Sequence, residues 1–189
     1  MHNFVSWAGP NDGVYGVPDF NALCPDADCP WLANAFDALL SSGASPLLQK
    51  TLTFAAYWKD PLNMSTYRSS NLFLADINNE RAAKNATYKA NLASLNHLAL
   101  AHATKDLIVV PSRSEWFEFF PSGTSKRPLT KWNEGPAYTE DWIGLRTLDE
   151  AGKLTHWQVA CSHQDVPRDD CKDEAYVQVT RDLLNNTLP

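Results

Sequence analysis

Three compact apolar runs of strand length lie far apart along the chain. Residues 4–8 predict a short buried strand that ends in a cluster of turn residues. Residues 97–102 and 154–160 have similar length and apolar character, and the second of these runs follows a turn at Gly152. We therefore expect a small sheet built from segments that are distant in sequence.

Apolar residues at helical spacing occupy the segment between the first two strands. A helix is predicted over residues 30–43, a second from Ser45 as its N-cap to residue 60, and a third over residues 85–96. A closing helix follows the last strand, and its apolar stripe consists of Tyr176, Val179, Leu183 and Leu184. The pattern indicates one domain of the α/β class with a helical excursion over residues 10–96.

Composition and charge favour a soluble globular domain over a nucleic-acid-binding or membrane-spanning protein. The chain of 189 residues is 44% hydrophobic and 20% charged, which is typical of one soluble globular domain. Its formal net charge is -6 and its 16 lysines and arginines are scattered, so we expect no nucleic-acid partner. No apolar run approaches the ~20 residues of a membrane-spanning helix, and we expect no membrane span. The amino terminus also lacks the basic and apolar regions of a secretory signal.

The four cysteines fall into two local pairs. Cys24 and Cys29 bracket a turn-rich segment, and Cys161 and Cys171 bracket a segment with Pro167 and three acidic residues. Both spacings suit disulfides that close small loops. A zinc site would need tighter spacing, and no histidine lies within four residues of Cys24 or Cys29. We therefore predict two disulfides, Cys24 with Cys29 and Cys161 with Cys171, and no metal.

Three Asn-x-Ser/Thr sequons suggest that the protein passes through the secretory pathway. They make Asn63, Asn85 and Asn185 candidate glycosylation sites. An unmodified surface asparagine is an equally good explanation for each of them. Together with the paired cysteines, however, the sequons favour an oxidising environment for the folded protein.

Two residues that can take part in proton transfer follow predicted strands. Asp106 comes after the run at 97–102, and His163 comes after the run at 154–160. Because the carboxyl ends of parallel strands face one crevice, the two side chains can meet across a long sequence separation. An Asp followed by a His matches the order of the second and third members of the Ser-Asp-His triad of α/β-hydrolases. A turn aspartate and a surface histidine are the alternatives.

Five short stretches resemble signatures of the palmitoyl-protein thioesterase family. They are GVYGVP at 13–18, AYWKDP at 56–61, FLADINNER at 73–81, SEWF at 114–117 and YTEDWIGL at 138–145. They follow the family's order across most of the chain, and their combination is specific. The resemblance implies an α/β-hydrolase fold and a lysosomal or secreted enzyme. It also implies an activity, without a cofactor, that removes long acyl chains from cysteine thioesters of proteins.

The resemblance assigns roles to the two strand-end residues and leaves one role unfilled. Asp106, before LIVVP, matches the family's acid, and His163, within CSH, matches its base. The family's nucleophile lies in a G-x-S-x-G turn, and no such motif occurs in this sequence. The chain therefore resembles the carboxyl-terminal part of one α/β-hydrolase domain. Its partners would be an S-acylated protein or peptide substrate and, as an open alternative, a separate amino-terminal half.

Apolar residues of the helical excursion are candidates for an acyl groove, as the resemblance implies. They are Phe36, Leu40, Leu48 and Leu52. Packing of the excursion onto the sheet explains each of them equally well. A second hypothesis for the whole chain is a non-catalytic remnant or isoform that binds an acylated peptide or a partner. Cys161 is disfavoured as a nucleophile, because it lies two residues from His163 on the same strand end.

Overall fold

The computed structural model describes residues 2–18, 34, 46–51, 53–166, 171 and 174–185. Its strands are β1 (Asn3–Trp7), β2 (His97–Ala103) and β3 (Leu154–Val159). Its α-helices are α1 (Pro46–Thr51), α2 (Met64–Ser70), α3 (Leu74–Ile77), α4 (Ala86–Ala93), α5 (Pro136–Thr139), α6 (Leu145–Glu150) and α7 (Glu174–Asn185). Short 3-10 helices lie at Thr53–Tyr57 and Ser112–Trp116. Within these ranges, no helix has the length and apolar character needed to cross a membrane.

The strands form one parallel sheet with β2 in the centre. Val5 lies opposite Ala99, and Ala99 lies opposite Thr155, so one residue of β2 aligns all three strands. β2 is buried at every position after His97. The inner strand of a parallel sheet is covered on both faces, which explains why its sequence is a continuous apolar run rather than an alternating one. The three strand predictions are confirmed to within one residue at each end.

A hydrophobic cluster joins β2 to the segments that precede and follow it. Its buried members are Leu95, Leu98, Leu100, Trp116, Ile143, Leu145 and Leu148. The indole Nε1 of Trp116 donates to the carbonyl of Leu100 at 3.0 Å, so its polar atom is paired inside the cluster. Gly144 precedes α6 with a φ of 94°, and a Cβ at this position would lie 3.1 Å from the Cβ of Ala93. Glycine therefore permits the close approach of α4 and α6.

Two predicted helices have different bounds in the structure. In place of one long second helix, α1 ends at Thr51 and a 3-10 helix occupies Thr53–Tyr57. The third predicted helix ends at Ala93 rather than at residue 96. Asn96 N already donates to the carbonyl of His2 at 2.8 Å, which shows that the chain has turned towards the sheet by this point. The apolar spacing that suggested a longer helix continues into a loop.

The closing helix is confirmed as α7, but Leu184 does not belong to a buried stripe. The side chains of Tyr176 and Val179 lie outside the description. Leu183 is buried, whereas Leu184 is 70% exposed. Consecutive residues of an α-helix point ~100° apart, so both leucines cannot lie at the centre of one face. The first predicted helix, at 30–43, lies outside the described residues except for residue 34, which is helical.

A buried ion cluster joins the loop after β1 to more distant residues of the same helical excursion. Lys59 Nζ lies 2.5 Å from Asp12 Oδ1 and 3.1 Å from Glu80 Oε1. The hydroxyl of Tyr67 donates to the same oxygen of Glu80 at 2.8 Å. Burial raises the pKa of Asp12 to about 6, although the ammonium of Lys59 acts in the opposite direction. One cation therefore holds together two carboxylates from distant segments.

Candidate active site

Asp106 and His163 meet just beyond the ends of β2 and β3. His163 Nδ1 and Asp106 Oδ2 are 2.6 Å apart. The sheet places them there, because backbone pairing continues past the strands, with Lys105 N donating to the carbonyl of Cys161 at 3.0 Å. The next residues on both segments consequently emerge at the same end of the sheet. The structure thus brings together the two residues that the sequence predicts as a catalytic pair.

The carboxylate of Asp106 is completely buried and fixed by several donors. Its Oδ1 accepts from the backbone N–H groups of Ile108 at 2.7 Å and Val109 at 2.9 Å. Burial acts to raise the pKa of Asp106, but hydrogen bonds from the side chains of His163 and Glu115 and from Val109 N outweigh it and lower that pKa. Asp106 is therefore an oriented anion at neutral pH.

The imidazole of His163 is held at one nitrogen and open at the other. Its side chain is 35% exposed. The hydrogen bond with Asp106 raises the pKa of His163, although burial lowers it. Among the described residues, Nε2 of this ring has no hydrogen-bond partner. A histidine arranged in this way can take a proton from a nucleophile at Nε2 and return it to a leaving group.

The turn that carries His163 is fixed by two local links. Cys161 and Cys171 form a disulfide across it. Inside the turn, Ser162 Oγ donates to Asp165 Oδ2 at 2.6 Å. Because its sulfur is bonded to that of Cys171, Cys161 has no thiolate to offer, and the disulfide argues further against it as a nucleophile.

Glu115 adjoins this pair and was given no role by the sequence pattern. Its side chain is buried, and its Oε2 accepts from Ala103 N at 2.7 Å. Burial, and after it the neighbouring carboxyl group of Asp106, raises the pKa of Glu115 to about 10. The signal that could have found it is an acidic residue beside the apolar pair Trp116 and Phe117. A charged residue type in a core-like stretch requires a specific partner.

A second serine-histidine contact lacks the features of a catalytic pair. His102 Nε2 lies 3.1 Å from Ser112 Oγ. Burial lowers the pKa of His102 to about 4, and its Nδ1 has no hydrogen-bond partner. Within the described part of the chain, no carboxylate hydrogen bonds with this ring. The part of the chain that the structure describes also contains no group of three or more His, Cys, Asp or Glu side chains placed to hold a metal ion.

The remaining predicted site residues are placed only in part. Asn63, Asn85 and Asn185 are exposed, and the side chain of Asn85 also caps α4 by accepting from Thr87 N at 2.9 Å. The residues that lie outside the described part of the chain are Cys24, Cys29, Phe36, Leu40 and Leu52. Leu48 belongs to α1, but its side chain is also outside the description. Glycosylation, the acyl groove and the Cys24–Cys29 disulfide therefore stay predictions.

We expect Asp106→Asn to lower the pKa of His163. The anion stabilises the charged imidazole, and without it the opposing effect of burial remains. Since the folded-state pKa of His163 is raised, the pair stabilises the fold fully below the unfolded pKa of ~6.5, and this stabilisation is lost as the pH rises through the folded value. An NMR titration of the His163 ring in both proteins measures the effect. An unchanged pKa would contradict the contact between Asp106 and His163.

Comparisons with known proteins give this arrangement a context. A family model described as palmitoyl protein thioesterase matches residues 1–163, a range that ends at His163. Palmitoyl-protein thioesterase 3 of Dictyostelium discoideum is 38% identical over 188 residues, which cover 98% of this chain and 61% of the relative. Palmitoyl-protein thioesterase 1 of Caenorhabditis elegans is 39% identical over 172 residues, covering 89% of this chain and 54% of the relative.

A third relative is more distant and carries a different name. Lysosomal thioesterase PPT2 of Homo sapiens is 29% identical over 166 residues, which cover 85% of this chain and 50% of the relative. The chain thus spans between 50% and 61% of the length of these three curated relatives. The similarity includes the positions of both strand-end residues, Asp106 and His163, within the family match.

Proposed function

Because the chain belongs to the palmitoyl protein thioesterase family, we propose that it supplies the acid and the base of an enzyme that hydrolyses long-chain acyl thioesters on protein cysteines. The observation that carries this proposal is the 2.6 Å contact between His163 Nδ1 and the buried Asp106. Family membership implies an α/β-hydrolase fold, and the parallel sheet with helices is consistent with part of one.

In the proposed reaction, His163 is the proton carrier. A serine that this sequence does not contain in a G-x-S-x-G turn attacks the thioester carbonyl, and His163 Nε2 takes its proton. The protonated ring then gives that proton to the departing cysteine sulfur, which leaves an acyl-enzyme. Water activated by His163 releases the fatty acid in the second half of the reaction. Asp106 fixes the ring tautomer and stabilises the imidazolium throughout.

We further propose that the helical excursion over residues 10–96 lines the groove for the acyl chain. The candidate residues are Phe36, Leu40, Leu48 and Leu52. The alternative, in which they pack the excursion onto the sheet, predicts that shortening them destabilises the fold without changing the preferred acyl length. Comparing acyl chains of different length on one shortened variant separates the two roles.

A chimera tests the activity directly. This chain replaces the matching stretch of the Dictyostelium relative, which then contributes the remainder of its own sequence. We expect the folded chimera to release fatty acid from a palmitoylated peptide thioester. A folded chimera that binds this peptide without turnover would instead support the second hypothesis, a non-catalytic binder. The absence of a G-x-S-x-G motif from this sequence is the observation that keeps that hypothesis open.

A lysosomal or secreted location is part of the same proposal. Several relatives carry the name lysosomal thioesterase. The exposed sequon residues Asn63 and Asn85 and the Cys161–Cys171 disulfide suit a protein that folds in an oxidising compartment. Treatment of the natural protein with a glycosidase that removes N-linked glycans, followed by intact mass measurement, checks the sequons.

We expect this 189-residue chain, expressed by itself, to hydrolyse no palmitoyl thioester. His163 could only activate water, and the oxyanion donors of such hydrolases include the residue after the nucleophile. Loss of one oxyanion donor alone costs about 10²–10³ in rate. The measurement compares release of a long-chain acyl thiol by the chain and by its Asp106→Ala, His163→Ala double variant. Turnover well above that of the double variant would show that the nucleophile lies within this sequence.

A further inference from the structure

Glu115 is a buried acid, and only one of its two carboxyl oxygens has a hydrogen-bond partner among the described residues. It lies in the 3-10 helix Ser112–Trp116 and is 0% exposed. Oε2 accepts from Ala103 N, the last residue of β2, at 2.7 Å. Oε1 is buried, and no described residue donates a hydrogen bond to it. An ionised carboxylate in this position would leave half of its charge unsolvated, which is costly in a protein interior.

Ala103 links Glu115 to a second carboxyl residue, because its N–H donates to Glu115 Oε2 and its carbonyl accepts from Asp106 N at 3.0 Å. The carboxyl groups of Glu115 and Asp106 each affect the pKa of the other. Asp106 is held ionised by its donors, so it has no proton to share. Arg113 is close in sequence but is already paired, because its Nε lies 2.9 Å from Glu118 Oε2 and its guanidinium stacks over Trp116. Two buried carboxylates side by side repel each other, and this repulsion is removed when one of them carries a proton.

We propose that Glu115 is a positioning residue that, as a neutral carboxylic acid, donates a hydrogen bond from Oε1 to Asp106. Its other oxygen ties the pair to the end of β2 through Ala103. This inference rests on the proposed function of Asp106 and His163. Asp106, on the loop after β2, is the titratable group that acts on Glu115, and Asp106 in turn bonds with His163 on the turn after β3.

The proton on Glu115 has two consequences for the catalytic pair. First, Asp106 gains a further donor besides Ile108 N, Val109 N and His163, which keeps the fully buried side chain ionised and fixed in orientation. Second, His163 faces a single negative charge rather than two. Burial, followed by the hydrogen bond with Asp106, raises the pKa of Glu115 to about 10, which agrees with a neutral acid at physiological pH.

The protonation state of Glu115 can be measured in this chain without any enzyme assay. In protein labelled with ¹³C at glutamate side-chain carboxyls, we expect one resonance to stay at the position of a neutral acid from pH 5 to pH 8. That resonance should be absent from Glu115→Gln. If every glutamate resonance titrates like an ordinary carboxylate, the proposal is overturned.

The positioning role is tested with a matched pair of variants, Glu115→Gln and Glu115→Met. Both remove the acid, but only glutamine can still donate to Asp106 and accept from Ala103 N. The readout is the downfield proton resonance of His163 Nδ1–H in its bond to Asp106. We expect Glu115→Gln to keep this resonance and the pKa of His163 unchanged, and Glu115→Met to shift or broaden the resonance.

Two outcomes separate failure of this inference from failure of the proposed function. If Asp106→Asn removes the downfield resonance but folded Glu115→Met retains it unchanged, Glu115 does not position Asp106 although the pair exists. If Asp106→Asn leaves the resonance and the pKa of His163 unchanged, the catalytic pair itself is wrong. A fall in the pKa of His163 in Glu115→Gln would show that Glu115 is an anion in the native protein. Should Glu115→Met not fold, the carboxyl resonance and the Gln variant still decide the question.

Discussion

Replacing His163 by alanine in the active chimera lowers kcat for a palmitoyl thioester by about 10⁴-fold or more. Nδ1 of the ring lies 2.6 Å from Oδ2 of the buried Asp106, and among the described residues Nε2 has no hydrogen-bond partner. Without it, the serine keeps its proton and is a poor nucleophile at neutral pH. The chimera's other donors and its acyl site are untouched, so the loss falls on kcat while KM changes little.

Asp106→Asn reduces kcat by a similar factor, about 10⁴-fold, for a different reason. The amide has nearly the shape of the carboxylate, but its NH₂ group can donate towards the ring. His163 can then adopt the tautomer that carries its proton on Nε2, where it cannot act as a base. The fold survives because the Asn carbonyl oxygen can still accept from Ile108 N and Val109 N.

Steady-state kinetics of the two variants and of a control give the decisive comparison. His2→Ala is the matched control, since His2 is exposed and the carbonyl that accepts from Asn96 N belongs to its backbone, which alanine retains. We expect this variant to keep the activity of the unmodified chimera. If folded His163→Ala retained more than a tenth of that activity, His163 would not be the catalytic base.

The sheet and the two strand-end residues could be predicted because their signals are local. A buried parallel strand is a continuous apolar run, and β2 shows this between His97 and Ala103. The rule that such strands end at one crevice then brings Asp106 and His163 together without any knowledge of the side-chain contacts. Helix ends were predicted less well, since apolar spacing continues into the loop after Ala93 and contributes Leu95 to the core.

Contacts between distant residues of unlike type could not be read from the sequence. The role of Glu115 depends on Asp106 and on a backbone donor at Ala103, which no local pattern links to it. The same is true of the cluster around Lys59, because nothing near this lysine in sequence indicates Asp12 as its partner. Such polar groups stabilise a structure only after the surrounding core has formed, so their sequence signal is weak.

Lys59→Met should destabilise the protein by about 3–5 kcal/mol at pH 7. Methionine fills much of the volume of the lysine stem, so the loss arises from charge rather than from a cavity. The variant leaves Asp12 and Glu80 as two buried carboxylates without their shared cation, at positions that were 2.5 and 3.1 Å from Lys59 Nζ. Uncompensated buried charges are among the most costly defects that a single substitution can create.

The loss should shrink as the pH falls, which distinguishes it from a packing defect. The ammonium of Lys59 lowers the pKa of Asp12 against the effect of burial, so without Lys59 this carboxyl group takes up a proton more readily, and a neutral carboxyl group costs less to bury. Lys131→Met is the matched control, because its ion pair with Glu134 is exposed on both sides and such pairs contribute ~0–1 kcal/mol. Urea unfolding at pH 5 and pH 7 measures the free energy of unfolding of both variants relative to the unmodified protein. A loss at Lys59 no larger than that at Lys131 would show that the buried cluster does not stabilise the fold.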